Sequence, residues 1–545
     1  MKDMRHKWSL VVLLVITVFG MALRTYKLGE IPGVMHRDEL AVVYNAYSMF
    51  KTGQDEWGVS QIWSLKSFGD YKLPAMVYGT IPGIVAFGLN PLGARLPAAL
   101  YSSLAIPVLY LMIRDLFKSP KMALTASFLL AVSFWHISNS RNIYEPVVIL
   151  TVSIISYWAL YKARENIRYL FLSLLFFFVS TWVYNTALVI FPQLFLIWMI
   201  FNWWSDRNFS AKSWILGLIT LLFFLGINLT LTMSAAGGKS QTTIFLNPEL
   251  QTENQTRLHR YWSSGVPLYP LFIKYERFFQ VSHHLYKSYV SSIDPVYIFF
   301  TGGNNAWHNL KSIDLGNSNP VLLPFVIIGI VFVLKQWRKP SNFFLISLGL
   351  TSPLPSALTV DAPNTNRLMD LHILVIILAT YGFYKSLRMI GPRWRKVMIA
   401  LTATAFLLFV EQFLSRYFII YNKVLASEWQ VGFSEVVTEI SARQADYDLV
   451  VVESPVSAAY IYYAFYNRLA PQKLQAAPRA DSQNFNPVKR IDNVIFEVDG
   501  EVEFERDQRV LLVKRFDNQT PVDESVFVVK NWEGKPIWQG YEEDF

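Results

Sequence analysis

The chain contains no cysteine, which excludes disulfide bonds and thiolate metal sites and makes the protein compatible with an oxidising exterior. Charge is also scarce, since only 16% of the 545 residues are Asp, Glu, Lys or Arg, whereas 53% are hydrophobic. Soluble domains do not combine that balance with long, recurring apolar runs. The composition therefore predicts a multi-pass membrane protein.

The formal net charge of +9 does not indicate nucleic-acid binding, because the basic residues form short clusters between apolar segments and not one continuous surface. Such clusters typically mark the cytoplasmic loops of membrane proteins. Placing them all inside fixes the predicted topology. The clusters are Lys118 with Lys121; Lys162, Arg164 and Arg168; Arg207 with Lys212; Lys335, Arg338 and Lys339; and the basic residues within 385–396.

The apolar segments approach the ~20 residues needed to cross a bilayer. The first follows three basic residues, as a secretory signal would, but no small-residue cleavage site comes after it, so a retained helix with a cytoplasmic N-terminus is predicted. The segment 73–89 is interrupted by Pro82-Gly83 and is predicted to lie along the membrane interface. Eleven spans are predicted, at residues 8–24, 95–113, 122–138, 146–161, 168–184, 186–203, 213–232, 320–336, 342–358, 368–385 and 397–416.

The composition changes near residue 424 to that of a soluble domain, with polar spacing, short β-rich runs and turn residues. A strand at 447–452, followed by a helix that ends near Tyr466, is predicted, with further strands at 494–498, 509–513 and 525–529. The predicted fold is mostly α, with about 11 transmembrane helices and juxtamembrane helices in residues 1–423 and a small extracytoplasmic α/β or α+β domain in residues 424–545. That domain has no Gly-rich phosphate loop and no metal-ligand spacing, so the sequence assigns it no chemistry.

Acidic residues are concentrated in the loop after the first span, residues 35–74, which the topology places outside. Apolar side chains recur there at helical spacing from Leu40 to Phe50, and Gly53 follows as a stop, so an amphipathic helix resting on the bilayer is predicted. Asp38 lies at the helix start, where it could be an N-cap or a general base at the membrane surface, and the two roles are compatible. The other charged residues singled out in this loop are Glu39, Asp55, Glu56, Asp70 and Lys72.

This part of the chain resembles the polytopic GT-C glycosyltransferases related to protein O-mannosyltransferases and lipid A aminoarabinose transferases, a glycosyltransferase family 39-like superfamily. Those enzymes carry an Asp-Glu pair after the first helix, an acidic-Lys-Pro element before a juxtamembrane helix, and an Ala-Arg-Leu-Pro-like start to the second span. The likeness extends through residues 297–316 and 352–368 to about residue 420. The corresponding residues here are Asp38-Glu39; Asp70, Lys72 and Pro74, with Asp-Tyr-Lys where the family has adjacent Glu-Lys; and residues 94–97.

The resemblance implies an enzyme, a hexosyl- or pentosyltransferase that moves a sugar from a polyprenyl-phosphate donor to an acceptor hydroxyl at the outer face of the cytoplasmic (plasma) membrane. The resemblance also implies that the configuration at the anomeric carbon inverts. One carboxylate would act as the base toward the acceptor hydroxyl, and cationic side chains or a bound divalent ion would stabilise the charge on the departing phosphate. The acceptor would be a cell-envelope glycan, a glycolipid or a protein. The implied roles are catalysis by Asp38 and Glu39; donor-phosphate binding by Lys72, Arg367 and Arg141; substrate binding by Asp70, Tyr71 and His308; and, where a metal is used, its coordination by Asp38 and Asp70.

Each role has a structural alternative. Lys72 and Asp70 could form a surface ion pair worth under about 1 kcal/mol, and Arg141 could pair with Glu145 four residues on. Arg367 lies outside, against the charge rule, which favours phosphate binding by its planar guanidinium. The whole protein could also be a flippase or transporter of lipid-linked saccharides, or an oligosaccharide ligase or polymerase. A transporter is expected to place ionisable residues within its spans, whereas the predicted spans here are nearly free of charge.

Overall fold

The structure is a computed structural model, mostly helical, in which long helices are followed by a C-terminal β-sheet. Its opening loop also contains a short β-hairpin. The described residues are 2–60, 62–205, 210–233, 243–245, 247–263, 269–303, 310–424, 430–453, 458–480, 486–497, 507–517 and 522–544.

The helices are numbered in chain order. The first are α1 (Lys2–Thr25), α2 (Arg37–Thr52), α3 (Pro74–Phe87), α4 (Pro91–Ser103), α5 (Ala105–Phe117), α6 (Pro120–Ala131), α7 (Phe134–Ser140), α8 (Glu145–Lys162), α9 (Arg168–Val183), α10 (Thr186–Ser205) and α11 (Ala211–Met233). The later ones are α12 (Pro248–Ser263), α13 (Tyr269–Ser292), α14 (Leu323–Lys335), α15 (Pro340–Thr351), α16 (Leu354–Ala357), α17 (Met369–Met389), α18 (Pro392–Ser415), α19 (Tyr421–Val424), α20 (Phe433–Arg443), α21 (Ala459–Tyr466) and α22 (Pro471–Ala476).

Contacts group the chain into two units, and each is described by itself. The first unit consists of Met1–Arg24, Leu100–Ser140 and Glu145–Ser415. The second unit consists of Thr25–Ala99, Arg141–Tyr144 and Arg416–Phe545, so it contains both the acidic opening loop and the C-terminal sheet. The domain boundary that the sequence predicted near residue 424 stays a prediction.

Fewer helices than predicted are long and apolar enough to cross a bilayer. Among the described residues six meet that condition, or eight when each of two bent helix pairs counts as one span. The predicted spans 320–336 and 342–358 form one such pair, bent by 119° between Lys335 and Pro340. The segment predicted at 168–184 forms α9, whose 16 residues fall short of the ~20 that a span requires. The multi-pass character is confirmed, and the number of eleven spans stays a prediction.

Close helix packing in the first unit depends on small residues. A Cβ added to Gly382 of α17 would lie 1.9 Å from the Phe325 carbonyl oxygen of α14, and one added to Gly329 would lie 2.2 Å from the Leu378 carbonyl oxygen. Glycine at both positions lets the two backbones approach more closely than any side chain would permit.

In the second unit, the helix predicted from residue 40 onward exists as α2 and ends at Gly53, whose φ of 70° is favourable for glycine. Side chains from Glu39 to Ala46 are all buried, because α3, α21 and α22 pack around α2. Phe50, near the end of the helix, is 48% exposed. The first half of the helix is therefore enclosed by protein, and its predicted contact with the bilayer stays a prediction.

The C-terminal segment contains mixed α and β structure, as predicted. The strands among the described residues are β1 (Leu65–Ser67), β2 (Asp70–Lys72), β3 (Leu449–Glu453), β4 (Arg490–Ile491), β5 (Val494–Glu497), β6 (Arg509–Arg515), β7 (Phe527–Lys530) and β8 (Pro536–Asp544). The six C-terminal strands form one sheet with the order β4-β5-β3-β6-β8-β7, in which β3 is parallel to β5 and β6 and the remaining pairs are antiparallel. Apolar side chains such as Val451 and Leu512 lie side by side in its core. The sequence predicted β3, β5, β6 and β7 but not β4 or β8.

Candidate active site

The site is built around the first turn of α2. His36, not Asp38, is the N-cap: its Nδ1 accepts a hydrogen bond from the Asp38 backbone N–H at 3.3 Å. Its own backbone N–H donates to Glu39 Oε2 at 3.0 Å, which completes a capping box. Because the cap is supplied by His36, the Asp38 carboxylate is available for other contacts.

Three of the predicted residues meet in one cluster. The Lys72 ammonium donates to Asp38 Oδ1 at 2.7 Å and to Asp70 Oδ2 at 3.1 Å. The Lys72 side chain is only 5% exposed, whereas that of Asp38 is 43% exposed and that of Asp70 is 24% exposed. Lys72 is thus a nearly buried cation that joins two partly accessible carboxylates. Lys72 and Asp70 therefore do not form the exposed surface ion pair that the sequence left open.

The hairpin β1–β2, residues 65–72, presents this cation. Leu65 pairs with Lys72, Lys66 with Tyr71 and Ser67 with Asp70. Side chains alternate along a strand, so Asp70 and Lys72 share one face and Tyr71 occupies the other. The substrate-binding role predicted for Tyr71 stays a prediction.

The charge state of Asp38 follows from its neighbours. Crowding by protein atoms raises the pKa of Asp38, but the Lys72 ammonium and the contact with His36 lower it by more. The pKa of this carboxyl therefore lies well below its usual range, and Asp38 is an ionised carboxylate at neutral pH.

Glu39 occupies a different environment from its neighbour. Both it and Arg95 are fully buried, and the Arg95 Nε and Nη2 groups donate to its two oxygens at 3.0 Å each. The Ile143 backbone N–H adds a third bond at 3.0 Å, beside the capping bond from His36. Four donors therefore surround Glu39 and fix the start of α2. The catalytic role predicted for Glu39 stays a prediction.

Arg95 is the arginine of the Ala-Arg-Leu-Pro element, and no partner was predicted for it. Besides binding Glu39, it donates to the carbonyl oxygens of Pro32 at 2.6 Å and Val34 at 2.8 Å. The structure thus links two of the motifs on which the resemblance rests, the Asp-Glu pair and the start of the second predicted span.

Arg141, predicted to bind the donor phosphate, is fully buried in the second unit. Its Nη2 donates to the Ile31 carbonyl oxygen at 2.8 Å, and its guanidinium lies 4.8 Å from the centre of the Phe418 ring. Neither the phosphate contact nor the alternative pair with Glu145 is tested by these contacts, and both stay predictions.

Arg367 belongs to the first unit, at the head of the span that contains α17. Its Nη1 donates to Thr359 Oγ1 at 3.0 Å and forms an ion pair with Asp361. Asn364 Nδ2 binds the other oxygen of Asp361 at 2.7 Å. The sequence did not identify Asp361 as the partner of Arg367. His308, predicted to bind substrate, lies outside the described residues.

A metal site is not apparent in the part of the chain that the structure describes: no group of three or more His, Asp or Glu side chains there could hold an ion. The two carboxylates predicted as metal ligands, Asp38 and Asp70, both bind the Lys72 ammonium. The metal stays a prediction.

Comparison with known structures decides the fold. ArnT from Cupriavidus metallidurans in the apo state matches with a TM-score of 0.55 and 12% identity, over 98% of each chain. The same enzyme bound to undecaprenyl phosphate matches with a TM-score of 0.53 and 13% identity, over 99% of this chain and 98% of that one. This chain has the GT-C glycosyltransferase fold.

Other comparisons agree with the GT-C fold. The archaeal oligosaccharyltransferase AglB from Archaeoglobus fulgidus, solved with an inhibitory peptide and a dolichol-phosphate, matches with a TM-score of 0.52 and 12% identity over 85% of this chain. This chain spans 64% of the length of AglB. The family described as dolichyl-phosphate-mannose-protein mannosyltransferase matches residues 79–228. That match includes Arg95 and Arg141 but not the Asp38–Lys72 cluster. No curated protein sequence matches this chain.

Proposed function

We propose that this protein transfers one sugar from a polyprenyl-phosphate donor to an acceptor hydroxyl. The observation that carries the proposal is the Lys72 ammonium 2.7 Å from the Asp38 carboxylate at the start of α2. A base for the acceptor and a cation for the departing phosphate are the two groups that such a transfer requires. Similarity to ArnT and AglB, both solved with a lipid phosphate bound, supports this class of donor.

In the proposed reaction, Asp38 accepts the proton of the acceptor hydroxyl while that oxygen attacks the anomeric carbon of the donor sugar. The new carbon–oxygen bond forms on the face opposite the phosphate, and the bond from the anomeric carbon to the phosphate oxygen breaks, so the configuration inverts. The bonding electrons leave with the phosphate, which gains one negative charge. Lys72 stabilises that charge.

The resting contact between Lys72 and Asp38 has a consequence for the base. An ionised carboxylate bound to an ammonium is a weak base, since its pKa lies well below the usual range. A donor phosphate competes for the same ammonium. When Lys72 moves toward the phosphate, Asp38 loses its main stabilising charge and its pKa rises, so that the base becomes effective once the donor is bound.

The remaining predicted residues receive supporting roles in this proposal. Glu39 and Arg95 hold the first turn of α2, so that Asp38 keeps its position. Arg367 and Arg141 contribute further donor contacts, and Asp70 orients Lys72 through its hydrogen bond of 3.1 Å. A divalent cation at Asp38 and Asp70 would have to displace the Lys72 ammonium, so Lys72 is the proposed source of positive charge.

We place the reaction at the outer face of the cytoplasmic membrane, with the N-terminus in the cytoplasm and the C-terminal segment outside. The five basic clusters of the sequence support this orientation. Full-length similarity to a transferase, ArnT, supports sugar transfer over the alternatives of a flippase, a transporter or a polymerase. Whether the sugar is a hexose or a pentose is decided by the donor that the enzyme accepts.

The test is transfer of radiolabelled sugar from a panel of polyprenyl-phosphate monosaccharides into membrane glycoconjugates. We expect wild type to use at least one donor and D38N to lose about 10²–10⁴-fold in rate. E30Q is the control, because Glu30 lies in the same unit but is exposed and pairs only loosely with Lys27. Full activity of D38N would reduce Asp38 to a structural residue, and inactivity of wild type with every donor would overturn the proposed function.

A further inference from the structure

Two buried carboxylates hold the hairpin that carries Lys72. Asp55 and Glu56 are 1% and 0% exposed. Asp55 Oδ1 accepts from the backbone N–H groups of Trp57 and Val59 at 2.9 Å each, and its Oδ2 accepts from that of Lys66 at 3.1 Å. Asp55 therefore shapes the loop that enters strand β1.

Glu56 binds the turn between β1 and β2. Its Oε2 accepts from the Ser67 hydroxyl at 2.9 Å, and its Oε1 accepts from the Phe68 backbone N–H at 3.2 Å. Burial is the dominant influence on this group and raises the pKa of Glu56. Ser67 pairs directly with Asp70, and the Phe68 ring centre lies 5.1 Å from Lys72 Nζ. Fixing these two residues therefore fixes the strand that presents the cation.

The C-terminal segment completes this arrangement through Tyr460 of α21. The Tyr460 hydroxyl donates to Glu56 Oε1 at 2.7 Å and accepts from the Phe68 backbone N–H at 3.1 Å. Tyr460 is fully buried, so water cannot replace the bond. Gln475 Nε2 adds a bond to the Asp55 carbonyl oxygen at 3.0 Å, and Arg479 Nη2 binds the Glu56 carbonyl oxygen.

We propose that Tyr460 is a positioning residue of the transfer reaction, through which the C-terminal segment sets the location of Lys72. The inference rests on the proposed function, and it assigns a role to a segment for which the sequence indicated no chemistry. The path consists of direct contacts within the second unit: Tyr460 to Glu56, Glu56 to the turn at Phe68, and strand β2 to Lys72 and Asp38.

These contacts would affect the reaction and not only the stability of the fold, because they lead to Lys72 and Asp38, the two groups proposed to act in the transfer. Small displacements of a cation that stabilises a leaving group are costly, since a 1 Å misplacement can reduce the rate by about 10²-fold. Loss of one of the two bonds at Glu56 Oε1 loosens the turn without removing it. We therefore expect Y460F to lower kcat by about tenfold.

Tyr463 provides a matched control. It lies on the same helix α21, is 2% exposed, and donates its hydroxyl to Gln444 Oε1 at 2.8 Å, away from the opening loop. Y463F removes a hydroxyl together with its bond to Gln444, whereas Y460F removes both the bond donated to Glu56 and the bond accepted from the Phe68 N–H. Both variants should therefore lower the thermal unfolding midpoint, Y460F by more, whereas only Y460F should lower kcat.

The experiment measures kcat, KM and the thermal midpoint for full-length wild type, Y460F, Y463F, E56Q and the double variant Y460F/E56Q. The inference predicts that Y460F has little further effect on kcat in the E56Q background, because both residues act through the same turn. A wild-type enzyme that transfers sugar while Y460F matches Y463F in kcat overturns this inference alone. A wild-type protein that transfers from no donor overturns the proposed function and this inference with it.

Discussion

The variants E39Q and D38N test whether two adjacent carboxylates have different roles. We expect Glu39 to stabilise the fold and Asp38 to act in the reaction. Glu39 and Arg95 are both fully buried and joined by two bonds of 3.0 Å. Removing one charge of such a pair leaves the other buried and unpaired, which costs about 3–5 kcal/mol. Asp38, whose side chain is 43% exposed, shares the nearly buried Lys72 with Asp70, so D38N leaves that cation one carboxylate partner.

The donors around Glu39 set the size of the effect. Each of its oxygens accepts two bonds, one from Arg95 and one from a backbone N–H, of Ile143 or of His36. A Gln amide must turn its NH₂ group toward one of these pairs, so two donors lose their acceptor and face a donor instead. The large estimate for breaking a buried pair therefore applies at position 39, whereas D38N leaves Lys72 paired with Asp70 and should cost less.

The assay is thermal unfolding of the purified protein in detergent, followed by tryptophan fluorescence, with transfer activity measured on the same samples. E39Q should unfold at a clearly lower temperature than wild type, and D38N closer to wild type but without transfer activity. The double variant E39Q/R95M should be less destabilised than the sum of the two single variants, because each single variant leaves a lone buried charge and the double variant leaves none. An E39Q protein as stable as D38N would refute the reasoning.

Two further predictions concern the charged groups around the proposed donor. Asp38 has a pKa well below its usual range in the free enzyme, so wild-type kcat/KM and the stability from the ion pair should persist until the pH falls through that low value. K72M removes the main lowering charge and should move the acid limb of the kcat/KM profile upward by about one to three pH units, whereas K72R should leave it in place. An unmoved limb in K72M would show that Asp38 is not the titrating base. R367A should raise the KM for the donor by about tenfold or more, because a charged hydrogen bond contributes about 1.5–3 kcal/mol, and D361N, which releases Arg367 from its ion pair, should lower that KM. Equal KM values in all three proteins would exclude Arg367 from donor binding.

The sequence predicted elements whose signals are local. Helix α2 could be placed because apolar spacing and a following glycine are properties of neighbouring residues. Strand β3 and helix α21 were predicted for the same reason. Strand β8 was not, because Pro536–Asp544 contains glycine and several charged residues, and its pairing with β6 compensates for that unfavourable composition.

Partners that are distant in the chain could not be predicted. Glu39 and Arg95 are 56 residues apart, and Glu56 and Tyr460 are 404 residues apart. Each of these residues has a plausible local role, so nothing in the sequence indicates the pairing. The same limitation explains why the sequence did not indicate that α21 and α22 of the distant C-terminal segment pack on α2.

The adjacent pair Asp38-Glu39 shows why an Asp-Glu motif at a helix start can divide two tasks. Consecutive residues of an α-helix point about 100° apart, so one carboxylate can face the interior while its neighbour faces the space in which substrates react. Both oxygens of Glu39 accept hydrogen bonds from Arg95 and from backbone N–H groups, and these bonds hold the first turn of α2. That arrangement holds the helix turn that carries Asp38 in place. In the proposed mechanism, Asp38 must release its contact with Lys72 before it can accept a proton.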